Sequence, residues 1–456
     1  MRIVLISTYD LGHQPFGLAS PAAWLRAEGH HVTCADLACG PLPGNAIREA
    51  DLIAFYLPMH TATRLALKVI PRVRAANSEA HLCAYGLYAP VNASYLRELG
   101  VATILGGEFE RELTALAARL QNGVNGAQQE PLISLEALRF RVPDRSGMAP
   151  LSAYAQLVIN GVRKPAGYTE ASRGCKHLCR HCPIVPVYDG RFRIVQREVV
   201  LEDIRRQVAA GAQHITFGDP DFLNGPGHAI PLVEALCSEF PRLTYDVTIK
   251  VEHLLRHRAL LPVLRRTGCL FVTSAVESLD DRVLEKLQKG HTRADFFELV
   301  NVMRDADLPL APTFVPFTPW TTRESYQDVL RAIGDLGLVP NVAPIQLAIR
   351  LLIPAGSRLL ELDDIRDSIL PFDPQKLVYP WRHEDAEMDR LSAELQQLIQ
   401  QNRNRERAEI FSLISRLASG DAHPAPRAQA EGAGVPYLTE PWYCCAEPTE
   451  DQAALV

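Results

Sequence analysis

Along the first quarter of the chain, short continuous apolar runs alternate with stretches in which apolar positions return every three or four residues. The runs at residues 2–7, 31–34 (leading into Asp36), 52–56, 81–85 and 103–105 have the length of strands buried on both faces. Helical spacing fills the intervals, at 21–28 closed by Gly29, at 61–75, and from Gly106-Gly107-Glu108 to about residue 120. This pacing predicts an α/β fold that opens with a doubly wound parallel sheet. Such sheets bind ligands at the carboxyl ends of their strands, here the loops around Asp10, Tyr56, Tyr85-Gly86 and Gly106-Gly107-Glu108.

From about residue 121 to 165, Gly, Pro and Ser with scattered apolar positions read as a connector packed loosely on both neighbours. A second alternating series follows, with strands at 168–172, 214–217, 245–249, 270–275, 312–316 and 345–352, a helix at 199–210 and further helices between. It predicts a partial β/α barrel with its site at the strand carboxyl ends. Residues 371–380 read as a linker. Met388, Leu391, Leu395, Leu398 and Ile399, then Ile410, Leu413, Ile414 and Leu417, recur at the spacing of an interrupted amphipathic helix that serves packing rather than chemistry. The last stretch is rich in Ala, Pro and Gly and reads as a flexible tail until Trp442-Tyr443-Cys444-Cys445, since aromatic residues and paired thiols are unusual in a disordered end. The chain thus divides into 1–125, 126–165, 166–370, 371–420 and 421–456.

With 456 residues, 47% of them hydrophobic, the chain has ample material for two or more cores. A formal charge of −6 argues against broad attraction to nucleic acid. Ten scattered cysteines do not make a secreted disulfide framework, and no apolar run approaches the ~18 residues of a membrane span. A cytoplasmic protein with no membrane partner is expected.

The chemistry concentrates in Gly174-Cys175-Lys176-His177-Leu178-Cys179-Arg180-His181-Cys182-Pro183. Three thiolates in C-x-x-x-C-x-x-C can hold three irons of a 4Fe-4S cluster and leave the fourth open to a small molecule. Zinc, with His177 or His181 as fourth ligand, is the plainer alternative; the second Cys pair or Cys/His pair of a zinc finger is absent. The motif resembles that of radical S-adenosylmethionine (SAM) enzymes, whose open iron chelates SAM. It departs at His181, where the superfamily usually carries an aromatic residue and where an imidazole would lie over SAM.

The resemblance extends to later strand ends. Gly218-Asp219-Pro220 matches the turn that meets the SAM amino group. Ala275-Val276-Glu277-Ser278 followed by Lys289-Gly290-His291-Thr292 resembles the G-x-E-S…K-G-x-T signature of the cobalamin-associated branch. It implies that Glu277 lies by SAM's ribose or amino acid part, and that Lys250 meets its carboxylate. The family's G-x-P-x-E-T element is replaced by Phe317-Thr318-Pro319-Trp320-Thr321-Thr322. The N-terminal unit resembles a cobalamin-binding domain, but Asp10 and His13 miss the D-x-H-x-x-G spacing. Cobalamin is therefore possible without an axial histidine, or the site is emptied, and His13 is expected on a surface loop.

Trp442 to Pro448 resembles the tail of radical SAM proteins ending in C-U-A-E-P or C-C-A-E-P, with Cys445 in the selenocysteine position. The chain is also similar to the radical SAM enzyme of arsinothricin biosynthesis. These resemblances imply cleavage of SAM, an electron donor such as flavodoxin or ferredoxin, and a small, thiol-bound substrate of arsenic or selenium type presented by Cys444 and Cys445. The alternatives are a cobalamin-dependent radical methylase or rearrangement enzyme, and a non-enzymatic iron-sulfur redox sensor.

Overall fold

The computed structural model describes residues 1–124, 128–419 and 435–440. The N-terminal unit contains β1 (Arg2–Ser7), α1 (Phe16–Ala27), β2 (His31–Asp36), α2 (Gly44–Glu49), β3 (Leu52–Tyr56), α3 (His60–Ala76), β4 (His81–Tyr85), α4 (Tyr88–Val91), α5 (Ala93–Glu98), β5 (Thr103–Gly107), α6 (Glu110–Gln121) and β6 (Ile133–Ser134). Its six strands are parallel in the order β2-β1-β3-β4-β5-β6. Successive side chains of a strand leave on opposite faces. Ile3, Leu5, Leu52 and Ala54 therefore pack on α1 and α6, while Val4, Ile6, Ile53 and Phe55 pack on α3. Helix α1 starts at Phe16, earlier than its spacing suggests, and runs through Pro21. The amide that proline lacks would have bonded the Gly17 carbonyl, which instead accepts from the Tyr85 hydroxyl at 2.8 Å.

The second unit contains β7 (Gln156–Ile159), β8 (Val162–Thr169), β9 (Ser172–Gly174), α7 (Val185–Tyr188), β10 (Phe192–Ile194), α8 (Arg197–Ala209), β11 (His214–Phe217), α9 (Pro226–Glu239), β12 (Thr244–Thr248), α10 (Val251–Arg256), α11 (Leu261–Arg266) and β13 (Cys269–Glu277). It continues with α12 (Asp281–Leu287), α13 (Arg293–Asp305), β14 (Leu310–Phe314), α14 (Arg323–Asp335), α15 (Ala386–Gln401), α16 (Arg407–Ser419) and β15 (Tyr437–Leu438). Seven strands form a curled half-barrel in the order β14-β13-β12-β11-β8-β7-β15, with β7 and β15 antiparallel to their neighbours. The apolar stripe of α15 (Met388, Leu391, Leu395) and that of α16 (Ile410, Ile414) join the barrel's own core.

Three expectations are corrected. The stretch read as a loose connector supplies β6 to one sheet and the β7–β8 hairpin to the other, turning at Asn160 (φ +48°) and Gly161 (φ +78°). Positive φ at both central residues is what a two-residue hairpin with the right twist requires. The strand feeding the cysteine loop accordingly spans Val162–Thr169, and residues 172–174 belong to a separate small ribbon with β10. No strand forms over 345–352: Pro344–Leu347 is a 3-10 helix and Arg350 alone bridges Phe317. The apolar run there is explained by packing, since Ile349, Leu351 and Ile353 bury against Trp381.

Candidate active site

The carboxyl edges of the two sheets face each other across a cavity of about 690 Å³. The cysteine loop leaves β9 at Gly174, whose φ of +75° and close approach to Tyr188 exclude a side chain. Cys175, Cys179 and Cys182 form no disulfide and line the cavity. A single tetrahedral ion draws its sulfurs to within about 4 Å of one another. Among the described residues the one His, Cys, Asp or Glu group whose ligand atoms all lie within 4.8 Å of one another is Cys175, His177 and Asp221; the three cysteines do not form such a group. His177 lies 3.5 Å from Asp221, which also meets His253 at 2.7 Å, and this group braces the loop from behind. Burial pushes the Cys175 thiol up to about 11, so iron must displace its proton.

Glu277 ends β13 at φ +68°, a left-handed conformation that a non-glycine residue adopts only when its surroundings impose it. His181 Nε2 lies 3.2 Å and Lys289 Nζ 3.3 Å from its Oε1. Burial would raise this carboxyl, but Lys289's charge and the bonds from His181 and Lys289 hold it down to about 2. The K-G-H-T stretch is thereby explained residue by residue. Lys289 pairs with Glu277, Gly290 turns at φ +73°, His291 Nε2 meets the Val276 carbonyl at 3.2 Å, and Thr292 caps α13. Lys289 was not singled out as a site residue from sequence, although its motif was.

Gly218 packs on the Tyr168 ring, where a Cβ would come within 1.8 Å of the hydroxyl. Asp219 lines the cavity and braces the strand that feeds the loop, accepting from Ala171 N at 2.9 Å and Ser172 Oγ at 2.6 Å. Lys250 Nζ lies 3.7 Å from Cys179 Sγ, facing the thiols. His13 is not on the surface. Its ring stacks on Tyr168 at a centroid distance of 4.6 Å and lines the cavity, because the Gly12 carbonyl accepts from Ala155 N and Gln14 bonds Arg145, pinning the β1 loop to the second unit. Cys444 and Cys445 lie outside the described residues.

Burial pushes the Asp219 carboxyl up to about 7, despite bonds from Ser172 and Ala171 that pull it down. Between the unfolded value near 4 and the folded value, the native state holds a proton that the unfolded state has lost. This contribution is therefore fully present below about pH 4 and falls by about 1.4 kcal/mol per pH unit up to about pH 7. Asp219→Asn mimics the protonated acid. Its melting temperature relative to wild type is expected to rise between pH 5 and pH 8, and a pH-independent difference would show that Asp219 is ionised throughout.

Residues 169–333 match the family model described as Radical SAM superfamily. Over 348 residues the chain is 22% identical to hopanoid C-3 methylase of Methylococcus capsulatus, covering 72% of this chain and 66% of that protein. The chain thus spans about two thirds of the length of this relative. Two solved structures share the fold. The radical SAM methyltransferase TsrM from Kitasatospora setae, with cobalamin and a [4Fe-4S] cluster bound, aligns at TM-score 0.61 and 17% identity over 74% of this chain and 73% of that one. The cobalamin-dependent radical enzyme OxsB, with aqua-cobalamin and SAM bound, aligns at TM-score 0.70 and 14% identity over 88% of this chain and 66% of that one. The three cysteines and the partnered Glu277 all fall within residues 169–333, the part of the chain that matches the radical SAM family, and the chain is an enzyme.

Proposed function

We propose that this enzyme modifies a small, thiophilic substrate presented to the cavity by Cys444 and Cys445. Paired thiolates suit a soft centre, trivalent arsenic or a selenium compound being the type. The observation that carries this reading is the seat of the segment just before them. Tyr437 and Leu438 add an antiparallel edge strand to β7, and Thr439 N bonds the Gln156 carbonyl at 2.9 Å. Glu440 then bonds the Tyr9 hydroxyl and packs over Gly12, where a Cβ would come within 2.9 Å of it. Glu440 lines the cavity. Four further residues span at most about 14 Å, so Cys444 is tethered within that reach of the cavity rim. Tethering of this kind raises local concentration into the millimolar range without any new contact.

In this reading Cys175, Cys179 and Cys182 would hold the 4Fe-4S cluster, with Lys250 against Cys179. Glu277, kept ionised by Lys289 and His181, would accept from SAM's hydroxyl or ammonium groups, and the Gly218-Asp219 turn would border it. A cluster held there supplies the electron that cleaves SAM. The test uses arsenite as substrate. Cys444→Ser/Cys445→Ser is expected to keep its iron and its SAM affinity while arsenical product falls to background, because serine is not a soft ligand. Wild-type product formation by the double variant would remove the tail from catalysis. Transfer of SAM's 3-amino-3-carboxypropyl group to trivalent arsenic would leave methylthioadenosine, so strict formation of 5′-deoxyadenosine would remove that version of the reaction.

A second reading, a cobalamin-dependent methylase, is favoured by the N-terminal wall of the cavity. Leu11, Pro58, Met59, Leu87 and Tyr88 line it and suit the flat face of a corrin. Of the two histidines lining the cavity among the described residues, His181 bonds Glu277 and His13 stacks on Tyr168 through its ring face; because His13 misses the D-x-H-x-x-G spacing, a corrin held without a histidine ligand is expected, and a histidine-ligated corrin lost in His13→Ala would overturn that. Cobalamin bound there would supply a methyl carrier. Product formation that requires added cobalamin and ignores the tail cysteines would select this reading.

A further inference from the structure

The turn between α15 and α16 carries Arg403, Arg405 and Arg407 at alternate positions, and all three line the cavity. The turn is anchored over that space. Ile399 and Ile410, on either side of it, are buried and line the same cavity. Arg405 N donates to the Asn402 carbonyl at 2.9 Å, and Asn402 Nδ2 donates to the Leu398 carbonyl at 2.7 Å, which ties the turn to the end of α15. Glu406 and Glu409, the acids of the same stretch, are exposed and do not line the cavity.

Arg407 is the most firmly seated of the three. It is half-buried, its Nη1 donates to the Pro340 carbonyl at 2.6 Å, and its guanidinium lies over the Tyr437 ring at 4.7 Å. These contacts fix the fork but bring no negative charge. Arg173, which also lines the cavity, meets three glutamates, whereas neither Arg405 nor Arg407 has an ion pair among the described residues. Burial accordingly pulls the Arg407 guanidinium below its usual range, with only Tyr437 working the other way. Arg407 also opens α16 (Arg407–Ser419), and the N-terminal end of a helix dipole disfavours a cation and favours an anion. A partly desolvated charge is costly without a partner, and such groups are kept where something pairs with them.

We propose that Arg407 and Arg405, on the α15–α16 turn, form a subsite for a phosphate group carried by the substrate. Two guanidiniums without counter-ions match the double charge of a phosphate monoester, and a planar fork suits its oxygens. Arg407 supplies the fixed fork, Arg405 closes from the exposed side, and Arg403 adds positive charge to the same rim. The phosphate is then a handle, held at the turn while the rest of the substrate occupies the cavity. The proposal rests on the small-substrate reading above and adds a substrate class to it, without depending on the tail cysteines.

The test reads binding rather than turnover, so failure of the tail prediction leaves it standing. Full-length protein with reconstituted cluster and bound SAM is titrated at pH 8, where a phosphate monoester is doubly charged, with ethyl phosphate, propionate and 1-propanol, and binding is followed by ligand-observed NMR. Ethyl phosphate is expected to bind about tenfold or more tightly than propanol and about threefold or more tightly than propionate. Arg407→Gln is expected to weaken ethyl phosphate about tenfold or more, and Arg405→Gln about threefold or more, while iron content and circular dichroism are retained. Should Arg407→Gln fail to fold, the exposed Arg405→Gln carries the test. Absence of any phosphate preference in wild type, an unchanged affinity in folded Arg407→Gln, or an unchanged affinity in Arg405→Gln where that variant is the one tested, overturns the assignment. So does ethyl phosphate binding that emerges only when residues 441–456 are deleted, which would give the arginines to the chain's own Glu447, Glu450 and Asp451.

Discussion

Cys175→Ala, Cys179→Ala and Cys182→Ala are each expected to reduce SAM cleavage to background and to leave anaerobically reconstituted protein far below the about four irons per chain of the wild type. The three are not interchangeable in their surroundings. Cys175 is buried beside Asn224, Cys179 lies under Lys250, and Cys182 closes the turn through its amide to the Cys179 carbonyl at 3.1 Å. The loss is nonetheless expected to be equal, because a cube held at two corners leaves two irons open and loses the fixed geometry that directs SAM to a single site. Serine in place of any one is expected to retain little more, since an alkoxide is a hard ligand for a site that selects thiolate. Stoichiometric zinc with no iron, lost in Cys175→Ala but retained in Cys179→Ala and Cys182→Ala, would falsify the cluster assignment and return the Cys175, His177 and Asp221 group to consideration.

The strands were legible wherever an apolar run was short and bounded: 52–56, 81–85 and 214–217 coincide with β3, β4 and β11 to the residue. Where the expectation failed, the apolar run carried no period. Residues 345–352 bury their side chains without pairing as a strand, and hydrophobicity alone does not separate these outcomes. The β7–β8 hairpin was present in the sequence as Asn160-Gly161 between alternating residues, a strong short-range turn signal that the surrounding Gly and Pro obscured. The cysteine loop was legible because its chemistry is local. Lys289 and His13 were not, because each acquires its role from a residue far along the chain, Glu277 or Tyr168.

Arg173 is expected to be the most costly single side chain to remove outside the cluster ligands. It is 7% exposed and stands two residues before Cys175, at the seam of the two units. Its guanidinium reaches Glu170 at 2.6 Å, Glu110 at 2.7 Å and Glu108 at 3.4 Å, and packs over the rings of Phe16, Phe109 and Phe140. Arg173→Met keeps much of the apolar contact but leaves three buried carboxyls without their cation, a loss of about 3–5 kcal/mol for a broken buried ion pair. Arg173→Lys is not a mild change either, since an ammonium cannot serve three acceptors in the plane of a fork. The sign with pH follows from the carboxyls. Burial pushes Glu108 up to about 7 and raises Glu170, in each case against the pull of Arg173, and without the guanidinium both are raised further. The folded variant then holds protons that its unfolded chain has released, so its deficit against wild type should widen as pH rises from about 5.5 to 8. Urea unfolding of both proteins across that range measures this, and iron content per chain reports whether the seam also aligns the cysteine loop. Equal urea midpoints at pH 8 would show that the carboxyls find other partners and that the seam does not depend on Arg173.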